Sequence, residues 1–78
     1  MPRIKGIPGQ YRFFFTSFDC NEPPHVHVER GNSTGKFWLE PIELARSHGF
    51  SARELNVIRR IITSNRDVIL EAWHEHCG

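Results

Sequence analysis

His25-Val26-His27, with Glu29 two residues further on, is the stretch that can place the most proton-carrying and metal-ligating side chains on one surface. If this segment is a strand, successive side chains point to opposite faces. His25, His27 and Glu29 then share one surface and Val26 and Val28 the other. Such a face suits general acid–base work, with His25, His27 and Glu29 as candidate catalytic residues. It also suits one metal ion held by His25 and His27. Cys20 in the preceding segment is a candidate third ligand, with Asp19, Glu29, or the late His74 and His76 as alternatives. Zinc accepts this mixture of nitrogen, sulfur and oxygen. The plain structural alternative is that the two imidazoles finish a polar sheet face or hydrogen-bond the neighbouring loop.

Other sources of chemistry are thinner. His74 and His76 are two apart near the C-terminus, and on a helix such residues point away from each other; His74 and Trp73 read instead as part of how the helix end docks, and late histidines complement the helix dipole. A Cys20–His pair lacks any feature that would orient a nucleophile or build an oxyanion hole. Gly31 and Gly35 flank a hairpin rather than open a helix, which excludes a phosphate-cradling loop.

The elements that must position the His25 segment follow from pattern. Pro23-Pro24 stiffens its entry, and Asp19 to Pro24 reads as loop. Gln10 to Phe18, with aromatics alternating around Arg12, reads as a strand after a Pro8-Gly9 turn and a short mixed segment over 3–7. Gly31 to Gly35 supplies a hairpin connection, and Lys36 to Glu40 returns as the next strand. Pro41 to His48 is predicted as a short helix closed by Gly49. Ser51 and Glu54 then make a capping box. Leu55, Ile58, Ile62, Ile69 and Trp73 recur at spacings of three, four and seven, which predicts one long helix over about 52–76; a break at Ser64 or Asn65 is the alternative.

The chain has 78 residues, which allows a single domain over 1–78. A chain this short buries only roughly 60% of its unfolded surface, so the six Phe, two Trp and one Tyr must do much of the packing. The formal charge of +1 gives no general push toward nucleic acid or membrane. Arginines on the long helix and aromatics on the sheet leave nucleic-acid binding open, although a solvated helix face and an aromatic core account for them better. Two cysteines without CxxC spacing read as free thiols of a reducing cytosol. No apolar run spans a bilayer and no leader pattern opens the sequence, so a cytoplasmic location is expected. The broad apolar surface of the long helix predicts self-association.

Asn21-Glu22-Pro23-Pro24-His25-Val26-His27-Val28, Lys36-Phe37-Trp38-Leu39-Glu40-Pro41, Gly49-Phe50-Ser51 with Glu54-Leu55, and Glu71-Ala72-Trp73 together resemble the small bacterial domain-of-unknown-function family 4160 over essentially the whole length. The resemblance implies a small single-domain protein without an established activity. It also implies a small partner protein encoded nearby, of domain-of-unknown-function family 2442, in a toxin–antitoxin-like two-gene module.

The expectation is an α+β domain: an antiparallel sheet of three to four strands (about 3–40), a short helix (about 41–48) and a long C-terminal helix packed on the sheet. Its expected role is protein–protein interaction. The alternatives are a small histidine-dependent or metal-assisted hydrolase such as an RNase toxin, and a nucleic-acid-binding module.

Overall fold

The computed structural model describes residues 10–16 and 18–78. The expected segment 3–7 and its Pro8-Gly9 turn lie outside them. Four strands form one antiparallel meander in the order β1-β2-β3-β4: β1 (Arg12–Phe14), β2 (His25–Arg30), β3 (Ser33–Leu39) and β4 (Ile42–His48). Two helices follow, α1 (Ala52–Ser64) and α2 (Arg66–Cys77). The architecture is the α+β arrangement that the patterning implies.

Alternation on the strands divides the sheet as expected. Phe13, Phe15, Val26, Val28, Phe37 and Leu39 are buried in one cluster with Ile58 and Ile62 of α1 and Ile69 and Trp73 of α2. The other face carries Phe14, His27, Lys36 and Arg46, each directly opposite the next across the four strands. The β2–β3 turn is tighter than the sequence suggests. Only Gly31 and Asn32 lie between the paired residues Arg30 and Ser33, and Gly31 takes the positive φ of 59°.

Residues 41–48, expected as a helix, form β4 instead. Leu39 pairs with Ile42 across the turn, and the ladder runs on to Thr34 opposite His48. Pairing satisfies the backbone groups of β3 along an edge that a helix would leave open. The alternation that would announce a strand is hidden by a bulge. Lys36 is opposite Arg46 but Phe37 is opposite Leu44, so Ala45 is an extra residue and the period of two slips there. Gly49, expected as a helix cap, turns the corner from β4 into α1. Its φ is +91°, and a Cβ there would lie 2.6 Å from Ser33 Oγ.

The capping box is formed as read: Glu54 N–H donates to Ser51 Oγ at 3.1 Å and Ser51 N–H to Glu54 Oε1 at 3.2 Å. The single long helix is corrected to two. At Asn65 the backbone leaves the helical region (φ −118°, ψ 20°). The Asn65 side-chain amide donates to the Ile61 carbonyl at 2.8 Å, competing with the regular ladder. The apolar spacing carries through the break, so Ile62 and Ile69 reach the same core from both sides of it.

The largest correction concerns the cysteines. Cys20 and Cys77 are not free thiols; they form a disulfide across 57 residues of sequence. It ties the end of α2 to a single 3₁₀ turn, Asp19–Asn21, in the β1–β2 loop. No helix among the described residues is long and apolar enough to cross a membrane.

Candidate functional site

The β1–β2 loop folds back so that Asp19 meets the first half of β2. Thr16 fixes it: its N–H donates to Asp19 Oδ2 at 2.6 Å and its hydroxyl to Asp19 Oδ1 at 2.7 Å. Asp19 Oδ1 then lies 3.0 Å from His25 Nε2 and 3.0 Å from His27 Nε2. Side-chain alternation puts both imidazoles on one face, and the loop supplies one carboxylate oxygen between them. Asp19 is buried. Burial pushes its carboxyl up, but hydrogen bonds from His27 and from the Thr16 N–H and hydroxyl outweigh it. They hold the group well below the usual carboxylate range.

The two histidines are not equivalent. His25 is 1% exposed and its Nδ1–H donates to the Pro23 carbonyl at 2.9 Å. It is braced edge-on by His27 and Trp38, at ring centroid distances of 5.1 and 5.6 Å, and Trp73 of α2 stands at 5.2 Å. His27 is half-buried, stacks on Phe14 at 5.4 Å, and directs Nε2 at Asp19. Pro23 therefore does more than stiffen the approach: its carbonyl sets the tautomer of the histidine two residues later.

A second polar pair borders the first. Lys36, directly opposite His27, is buried, lies 4.6 Å from the centre of the Trp38 ring, and makes an ion pair with Glu22. The ammonium holds the Glu22 carboxyl below its usual value. On the same face Phe14, His27, Lys36, Arg46 and His48 help line an open trough of about 340 Å³. Arg46 and His48 have no carboxylate within ion-pairing distance among the described residues, whereas Arg12 is paired with Glu29 at 3.0 Å.

Of the residues picked out in the sequence, His25 and His27 are brought together. Glu29 is not; it lies at the far end of β2, opposite Arg12 and Thr34, and its carboxylate is engaged by Arg12. Cys20 is not available as a ligand or nucleophile, because its sulfur is bonded to Cys77. Asp19, one of several open alternatives in the sequence, is the carboxylate that arrives. Trp73 docks the end of α2 as expected, but the histidine that helps is His76, not the exposed His74. Arg46 was missed because its segment reads as a helix. Lys36 was passed over because a lysine in a strand ordinarily points to solvent.

Comparison with curated proteins and with solved structures finds no match. The family model described as Domain of unknown function (DUF4160) matches residues 10–74, nearly the whole of the sheet and both helices, so the chain belongs to that family.

Proposed function

We propose that this protein works by binding another protein, as one member of a toxin–antitoxin-like two-gene pair, and that β4 is the docking edge. The observation that carries this reading is the state of β4. It is the last strand of the sheet, seven residues long, and exposed from Glu43 to His48, with Arg46 and His48 unmatched by any described carboxylate. An edge of this kind offers a row of backbone groups to an added strand. The Ala45 bulge and the charges discourage indiscriminate pairing and favour a partner segment that is extended and acidic. The small neighbouring-gene product implied by the resemblance is the partner to try. Co-expression should give a complex that survives gel filtration at micromolar concentration, and Arg46→Glu should weaken it at least tenfold. Independent elution of the two proteins would defeat the reading. A cytoplasmic location belongs to this proposal, and the thiol state of Cys20 and Cys77 in freshly lysed cells tests it.

A second reading, a histidine-dependent or metal-assisted hydrolase such as an RNase toxin, draws support from His27, which touches Asp19 and lines the same cationic trough. RNA cleavage lost in His27→Ala but kept in His74→Ala would favour it. Salt-dependent RNA binding without cleavage would favour the nucleic-acid-binding module instead.

A further inference from the structure

We propose that Asp19, His25 and His27 form a binding site for one zinc-type divalent ion, ligated by Asp19 Oδ1 and the two Nε2 atoms. Distance is the first argument. Asp19 Oδ1 is 3.0 Å from each Nε2, and the three ligand atoms all lie within 4.8 Å of one another. Tetrahedral zinc with bonds of about 2.0–2.1 Å separates its ligand atoms by roughly 3.3 Å, so the two oxygen–nitrogen edges need to open by only a few tenths of an ångström.

The second argument is the tautomer of His25. The Pro23 carbonyl can only accept, so His25 Nδ1 carries the proton and Nε2 is the ring nitrogen left to ligate an ion. That atom is buried, has no hydrogen-bond partner, and faces an anionic oxygen 3.0 Å away. A cation seated between this nitrogen and the carboxylate oxygen would be ligated by both and would give the buried Nε2 the partner it lacks. A ring N–H donated to a backbone carbonyl is also the usual support behind a metal-ligating histidine. The carboxylate is supported in the same way, with Thr16 N–H and Thr16 hydroxyl fixing its two oxygens.

The third argument is the surroundings. Trp38 and Trp73 pack on His25 and keep bulk water from it, which strengthens charge–ligand attraction there, while Phe14 stacks on His27. Three protein ligands leave a fourth position for water or a partner's side chain. The ion is independent of the docking role of β4: either can fail without the other.

The test uses the full chain with its disulfide intact, stripped with EDTA and dialysed. Titration with zinc should show one ion per chain by calorimetry, and cobalt substitution should give visible absorption bands. Asp19→Asn, His25→Gln and His27→Gln should each lower zinc affinity 100-fold or more, with His74→Gln unchanged. Histidine ¹⁵N resonances of the wild type provide a readout that needs no variant. Zinc should move the Nε2 signals of His25 and His27 and leave His25 Nδ1 protonated. Absence of any shift at about millimolar zinc in the folded wild type, or unaltered affinity in folded His25→Gln and His27→Gln, would overturn the site.

Discussion

His76 donates from Nε2 to the Thr16 carbonyl across 2.8 Å, and Thr16 in turn delivers its N–H and its hydroxyl to the Asp19 carboxylate. One threonine thus connects the last turn of α2 to the candidate site, over a sequence separation of 60. The His76 ring also stacks on Phe15 at 5.4 Å, and Cys77 beside it is bridged to Cys20, the neighbour of Asp19. The C-terminal helix is therefore the clamp that holds the carboxylate against β2.

His76→Ala removes one partly buried hydrogen bond and one ring stack. The expected loss of stability is about 1–2 kcal/mol. Urea unfolding measures it as a lower midpoint at unchanged slope, and amide spectra should show the largest changes at Thr16, Asp19 and Cys20. Changes confined to the last turn of α2 would mean that the clamp does not reach the site.

Reduction of the Cys20–Cys77 bridge should lower stability by about 2–4 kcal/mol, because it frees a long loop in the unfolded chain. Cys20→Ser combined with Cys77→Ser should show the same loss and no further response to reductant. Two titratable thiols in unreduced, folded protein would contradict the bridge.

The sequence disclosed what local pattern controls. Alternation around His25 and His27, the Ser51–Glu54 box and the spacing from Leu55 to Trp73 all depend on neighbours in the chain, and each is found. What escaped depends on distant partners or on a broken period. The β4 strand was disguised by one extra residue, Ala45. The break at Asn65 stood only as an alternative, because it turns on where a single side-chain amide points, which spacing does not encode. Asp19 was indistinguishable from Glu29 and Cys20 as a third group, because the choice among them is made by Thr16, His76 and the Cys77 bridge. The disulfide was missed since two cysteines at opposite ends carry no spacing signal.

Gly49 tests how β4 is joined to α1. Its φ of +91° and the 2.6 Å approach of a built Cβ to Ser33 Oγ make any side chain there both strained and crowded. Gly49→Ala should cost at least about 1 kcal/mol, measured by thermal or urea unfolding. Ser33→Gly in the same chain should recover the part of the crowding that comes from the Ser33 side chain and leave the backbone part. A Gly49→Ala variant as stable as wild type would refute this corner geometry.

Acid sensitivity isolates the charge on Asp19. Its carboxyl is displaced below the ordinary value of 3.8: burial raises it, and the donors His27 and Thr16 lower it by more. A folded-state value below the unfolded one means that folding favours the ionised form. The resulting stability is fully present above the unfolded value near pH 4, and it is lost as pH falls from there toward the folded value. In EDTA, wild type should therefore lose more stability between about pH 5 and pH 2 than Asp19→Asn does. The variant should be the less stable of the two at pH 6, with the curves converging in acid. Glu22, also held low by Lys36, titrates in both proteins, with the nearby Asp19 charge raising it in the wild type alone. Parallel curves across that window would show that the carboxylate between His25 and His27 contributes no net charge interaction to the fold.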